Sequence, residues 1–233
     1  MVPLTGAALA EVRGDLYRNI VAIHAPQDLY DDLSHEPTDW ATAQQVERAV
    51  KPAPYVSATP VIHRPFEDAQ WQTVIGWPFA HPQGSRFSSG QFGVWYGCTH
   101  LKTTVYETVH HWVHGLLADA GFAREGVRIE RRVHRVACQA TLVDLRPLLA
   151  AHPELVHPSD YTAAQALGAR LHTEGQPGLV TDSVRLPGTD CHAVLNPVVL
   201  TNPRVHCPLT YRLEAGAVVV EREPGRVWLR LAP

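Results

Sequence analysis

Apolar and polar positions along the chain predict short strands and helices in an order that does not alternate strictly. Residues 5–14 read as a short helix. Residues 16–24 (Leu-Tyr-Arg-Asn-Ile-Val-Ala-Ile-His) read as a strand, with β-branched residues in near-alternation. Helices are expected over 27–34 and 39–50, the second capped by Asp39. Prolines then thicken at Pro52, Pro54, Pro60, Pro65, Pro78 and Pro82. Each removes a backbone donor and restricts the residue before it. The region 50–83 is therefore expected to hold little helix, with strand pieces around 55–63 and 72–76.

Residues 92–96 form a compact apolar strand. Thr99 is placed to cap a helix over 100–119, whose apolar stripe is Leu101, Val105, Val109, Trp112 and Leu116. Glu107 lies about 200° round that wheel from Val105, on the polar side with Thr103, His110 and His114. Residues 126–146 read as one or two strands. A helix follows over 161–173, ended by Gly175, then strands at 178–184 and 193–200. A hairpin or meander covers 205–213 and 217–231, broken at Pro224-Gly225. This order predicts an α+β fold: a mixed, mostly antiparallel sheet core with flanking helices. The length of 233 residues fits a single domain over 1–233, with an N-terminal extension (1–15) and a proline-rich connector (50–83) inside it.

Composition narrows the classes. Hydrophobic residues at 45% can build a core, and a charged fraction of 18% excludes a disordered chain. A net charge of −3 gives no general basic field for nucleic acid. The start lacks a basic segment followed by an apolar one, and no apolar run has membrane-spanning length, so the chain reads as cytoplasmic. Cys98, Cys138, Cys191 and Cys207 are scattered without a CxxC pair, as expected of reduced thiols rather than a zinc ribbon.

The candidate chemistry sits in two stretches, 84–107 and 178–185. Arg86 lies in a Gly-Ser turn where a ligand can approach the backbone, and a guanidinium recognises phosphate with a planar fork. Arg18 taken alone reads as a solvated strand residue, Tyr96 as a core aromatic with its hydroxyl at the rim, and Glu107 as a solvated helix residue. Ser183 lacks a GxSxG elbow, which disfavours a hydrolase nucleophile. His110 and His114 are four apart on a helix, but HExxH and HxxEH are both absent and no third ligand stands out, so no metal is expected. GxGxxG and GxxxxGK[ST] are missing as well. A dinucleotide would not bind through a Rossmann or P-loop cradle.

Taken together, these segments resemble the RES-domain toxins, named for their arginine, glutamate and serine. Tyr17-Arg18 resembles the opening YR strand and Gly84-Ser85-Arg86-Phe87 the GGRW segment. Val94-Trp95-Tyr96-Gly97 and Thr104-Val105-Tyr106-Glu107 resemble the strand and helix that follow. Gln165-Ala166-Leu167-Gly168, the 178–183 segment and Leu195-Asn196-Pro197 match the closing segments. The likeness runs from about residue 16 to 200. Ser85, Phe87 and Ser88 depart from the family's glycine, tryptophan and asparagine.

The resemblance implies a fold like that of mono-ADP-ribosyltransferases and a toxin that consumes NAD as substrate. It implies an Xre-type antitoxin as partner, and toxin pairs bridged within the toxin–antitoxin complex. Some members phosphorolyse or hydrolyse NAD, and others ADP-ribosylate a protein. On this reading Glu107, Arg86 and Ser183 are catalytic. Arg18, Tyr17, Arg86, Tyr96, Ser183 and Asn196 bind the dinucleotide. Competing readings are a protein ADP-ribosyltransferase, a non-enzymatic partner-binding module and a metal hydrolase using His110 and His114.

Overall fold

The computed structural model describes residues 7–22, 42, 45, 69–117 and 126–232. Two compact units emerge, Ile23–Pro65 and the rest of the chain. Of the first, only Thr42 and Gln45 are described, both helical. The helices expected over 27–34 and 39–50 and the strand piece at 55–63 otherwise lie outside the described residues.

In the second unit the first element is one long strand, β1 (Ala8–Val21). The helix expected over 5–14 is a strand from Ala8 onward. β1 runs antiparallel to β5 (Arg128–Asp144), in unbroken register from Ala8↔Asp144 to Val21↔Arg131. A full ladder partner outweighs the high helix propensity of Ala-Leu-Ala-Glu. Residues 8–15 are therefore ladder residues of the main sheet.

Inside the proline-rich 50–83 segment, where little helix is expected, lie a π-helical turn, Gln72–Gly76, and α1 (Trp77–Ala80). The strand expected at 72–76 is helical instead. α1 continues without a break the helical run that starts at Ala69, so Pro78 sits inside helix and supplies no N–H to it. Val74 and Ile75 are buried against Leu16, Trp95 and Val136, and Trp95 Nε1 donates to the Val74 carbonyl at 2.9 Å. Burying each such aliphatic side chain contributes about 1.5–3 kcal/mol.

Next are the hairpin β2 (Gly84–Ser85) and β3 (Ser88–Ser89), then β4 (Trp95–Cys98) and α2 (Leu101–His111), which continues as a π-helical turn, Trp112–Leu117. Thr99 does not cap α2. His100 is the cap residue, and Thr99 Oγ1 bonds His100 Nδ1 at 3.0 Å. β5 follows as a single strand. Then come α3 (Thr162–Thr173), β6 (Gly178–Asp182), β7 (Asp190–Val194), β8 (Leu200–Glu214), β9 (Ala217–Glu223) and β10 (Arg226–Leu231).

The eight main strands run in the order β1-β4-β7-β6-β5-β8-β9-β10, and β1 also pairs with β5. That extra pairing closes β1, β4, β7, β6 and β5 into a ring, from which β8–β10 extend as a meander. Among the described strands only the β5–β6 pairing is parallel. The fold is α+β with a mixed, mostly antiparallel sheet, as the sequence predicts. α2 and the π-helical turn after it pack Val105, Val109 and Trp112 on Val133, Leu209 and Tyr211. α3 packs Leu167 and Leu171 with Phe87, Leu145 and Leu179. No described helix is long and apolar enough to cross a membrane.

Candidate active site

Glu107, Arg86 and Ser183 come from three different elements. Glu107 projects from α2 opposite the sheet-facing stripe. That side is not fully solvated as the helical wheel suggests, because Thr103 and Thr104 beside it are buried. β6 ends at Asp182, and Ser183, 3% exposed, starts the turn beyond it. Its hydroxyl donates to Glu107 Oε1 at 2.8 Å. The same oxygen accepts from the backbone N–H of Arg185 (3.2 Å) and Leu186 (3.1 Å). One buried hydroxyl thus holds both the carboxylate and the turn.

Arg86 sits at the tip of the β2–β3 hairpin, which α3 fixes in place. Gln165 Nε2 donates to the carbonyls of Ser85 (2.9 Å) and Ser88 (3.3 Å). Gly168 lets the helix press on the hairpin, because a Cβ there would lie 1.9 Å from the Phe87 carbonyl oxygen. The guanidinium donates to the His157 carbonyl at 2.7 Å and lies 4.5 Å from the Tyr161 ring centroid. Burial pulls Arg86 below its usual range. Tyr161 and Glu107 oppose this, and Arg185 adds to it. The carboxylate of Glu107 and the charge of Arg86 therefore share one field.

Sequence reasoning did not assign a role to Arg185, although it stands two residues after Ser183. Its Nη2 donates to the Pro158 carbonyl at 2.6 Å, next to the carbonyl that receives Arg86. Its buried Nε has no hydrogen-bond partner. The receiving loop is itself braced, with His157 Nδ1 accepting from Asp160 N at 2.8 Å. Two guanidiniums are thus anchored on consecutive carbonyls beside the carboxylate, an arrangement suited to an anion. His110 lies close by. Burial pushes it down to about 4, and Arg185, His111, His114 and Arg86 add to the effect, so it is neutral at pH 7.

Tyr96 joins this group through its hydroxyl. The hydroxyl donates to Ser85 Oγ at 3.0 Å and accepts from Phe87 N at 3.1 Å, on either side of Arg86. Burial raises it to about 12. Arg18 Nη1 donates to the Tyr96 carbonyl at 3.0 Å, and its guanidinium lies 5.2 Å from the Trp95 ring centroid. Burial lowers Arg18 to about 10, which leaves it charged, and its Nε is unpartnered. Tyr17 points to the other face of β1, edge-on to His206 at 5.1 Å. Asn196 Oδ1 accepts from Val198 N at 3.1 Å and caps a short turn. Among the described residues, no hydrogen bond, ion pair or ring contact joins Tyr17, Arg18 or Asn196 directly to Arg86, Glu107 or Ser183. Arg18 reaches the group only through Tyr96. Among the described residues, too, no three His, Cys, Asp or Glu side chains cluster as a metal site.

The sequence model described as RES domain matches residues 60–214. The chain belongs to the RES domain family. Arg86, Glu107, Ser183 and Asn196 lie inside the matched RES span, and Tyr17 and Arg18 precede it. β1 carries those two into the same sheet. The solved M. tuberculosis MbcT–MbcA toxin–antitoxin complex is similar to this RES protein at 11% identity, covering 88% of this chain and 87% of that one, with a TM-score of 0.45. A likeness that distant assigns no residue roles. No curated protein matches the chain.

Proposed function

We propose that this RES protein is the toxin of a toxin–antitoxin pair and cleaves the nicotinamide–ribose bond of NAD, passing ADP-ribose to phosphate or water. An Xre-type antitoxin encoded separately keeps it silent. The reading rests on one observation above others: Ser183 fixes the Glu107 carboxylate at 2.8 Å within the field of Arg86. RES family membership supports it.

In the reaction the C1″–N bond breaks and its electron pair leaves with nicotinamide. Positive charge builds on the ribose. A fixed carboxylate stabilises that charge more in the transition state than in the ground state. Glu107 takes this role, and Ser183 orients it. Arg86 binds the diphosphate, Tyr96 sets the hairpin that carries Arg86, and Arg18 supports Tyr96 from behind. Arg185, anchored beside Arg86, adds a second cation for the diphosphate or for an incoming phosphate. Tyr17, on the other face of β1 against His206, and Asn196, which caps a turn, stand apart from this group and are given no part in it. A protein acceptor usually needs a second acidic group to activate it. Two residues before Glu107 stands Val105, buried in the core, which favours a small acceptor.

The test incubates the purified, antitoxin-free chain with NAD, with and without phosphate, and resolves the products by mass. Phosphate-dependent loss of NAD with a phosphorylated ADP-ribose is the expected phosphorolysis product, and free ADP-ribose without phosphate marks hydrolysis. Label from NAD on a protein would move the reading to a protein ADP-ribosyltransferase. Stable NAD with no labelled protein would leave a binding-only role.

A further inference from the structure

Two thiols lie against this site. Cys98 ends β4, Cys191 lies in β7, and the two are directly opposite in the antiparallel ladder. Their Sγ atoms are 3.4 Å apart. Cys191 Sγ also lies 3.7 Å from Glu107 Oε1, the oxygen that accepts from Ser183. Cys98 is buried and Cys191 half-buried, so a small oxidant reaches Cys191 first. Opposed residues of an antiparallel pair have Cα atoms about 4.5–5.5 Å apart. That falls inside the range of about 4.4–6.8 Å that a disulfide spans, and the bond itself needs the sulfurs at about 2 Å. All four cysteines are free, and Cys138 and Cys207 make no thiol–thiol contact among the described residues. Its hydrogen bond with Cys191, together with burial, lifts the Cys98 thiol well above its usual range, so Cys98 rests as the protonated thiol.

We infer that Cys98 and Cys191 are a redox modification site: they form a reversible disulfide that draws Cys191 Sγ off Glu107 and lowers turnover. The effect on turnover rests on the function proposed above, whereas the disulfide itself does not. With hydrogen peroxide as oxidant, Cys191 attacks one peroxide oxygen, giving a sulfenic acid and one water. The Cys98 sulfur then displaces the sulfenic hydroxyl, which leaves with the Cys98 proton as a second water. Two thiols lose two electrons and two protons, and the peroxide gains them. A small thiol reverses the link by exchange.

Loss of the S–H donor strips one hydrogen bond from the carboxylate, and closing the sulfurs shifts β7 beside it. Turnover is expected to fall at least about threefold. The experiment treats the full chain carrying Cys138→Ser and Cys207→Ser with hydrogen peroxide. It maps linked peptides by mass and measures NAD turnover before oxidation, after it, and after a thiol reductant. A Cys98–Cys191 peptide lacking two hydrogens, with turnover that falls and recovers, is the expected result. Cys98→Ser is expected to keep the reduced turnover and to give no linked peptide, its Cys191 stopping at the sulfenic acid under peroxide. Peptide mapping of the unsubstituted chain decides the pairing should that variant not fold. Absence of the linked peptide from folded, oxidised protein overturns the pairing, and a linked peptide with unchanged turnover overturns its grip on Glu107. A reduced protein without any NAD turnover overturns the proposed function instead, and the linked peptide alone then decides the thiol pair.

Discussion

Replacing Ser183 by alanine removes one oxygen that makes three hydrogen bonds. The bond to Glu107 Oε1, at 2.8 Å, is charge-assisted, a class that contributes about 1.5–3 kcal/mol. The other two satisfy the N–H groups of Arg185 and Leu186. Both residues are half-buried, so solvent takes over part of the lost acceptor. The expected cost to stability is about 2–4 kcal/mol, measured as a lowered urea midpoint with an unchanged slope. A chain with typical stability of about 5–15 kcal/mol stays folded under that loss. Turnover is expected to fall further than stability alone implies, because the carboxylate loses its orientation. If the full charge-assisted bond acts in the transition state, kcat drops about 10–150-fold. NAD turnover by folded protein, with KM and kcat separated, is the assay. A Ser183→Ala chain with wild-type kcat and an unfolding free energy within about 0.5 kcal/mol of wild type would refute the role given to this hydroxyl.

Three further outcomes follow from the same geometry. Lysine at Arg86 or Arg185 keeps the charge but loses the planar fork, so steady-state kinetics should show KM for NAD or phosphate rising about tenfold with a smaller change in kcat. Gly168→Ala forces a methyl group onto the Phe87 carbonyl, 1.9 Å away, and denaturation should report a loss of about 1–3 kcal/mol together with weaker NAD binding, because the hairpin carrying Arg86 is displaced. His134 and His192 are buried and pushed down to about 4, so the unfolded chain, with histidines near 6.5, binds more protons between those values. Their contribution is present above about pH 6.5 and is lost as pH falls toward 4, so urea midpoints should drop over that window. His192→Asn should flatten part of the drop, and a midpoint that is constant or rises in acid would contradict it.

Much of the site was legible because its parts lie in short local patterns. Arg86 follows a Gly-Ser turn, Glu107 sits off the apolar stripe of a helix, and Ser183 ends an apolar strand. The meander of β8–β10 was visible in the apolar segments 205–213 and 217–231 and in the break at Pro224-Gly225. What local pattern could not carry was pairing across long separations. Ring closure depends on β1 bonding both β4 and β5, and that ladder turned a helix-prone Ala-Leu-Ala-Glu stretch into strand. At 72–76, Val74 and Ile75 read as strand but pack helically under Trp95. The polar side of α2 carries buried Thr103 and Thr104, which a helical wheel reads as solvent-facing. Arg185 stood in the motif unassigned, because its value lies in sharing the 157–158 loop with Arg86. The Cys98–Cys191 contact joins residues 93 apart and has no sequence signature.

The central claim is that Glu107 stabilises the cation formed when NAD loses nicotinamide. The most direct measurement compares NAD turnover and NAD affinity of the wild-type chain and Glu107→Gln, which keeps the shape and removes the charge. The expected result is a kcat lower by roughly three orders of magnitude or more, with Kd for NAD changed by less than about tenfold. A Glu107→Gln chain that consumes NAD at the wild-type rate contradicts the account.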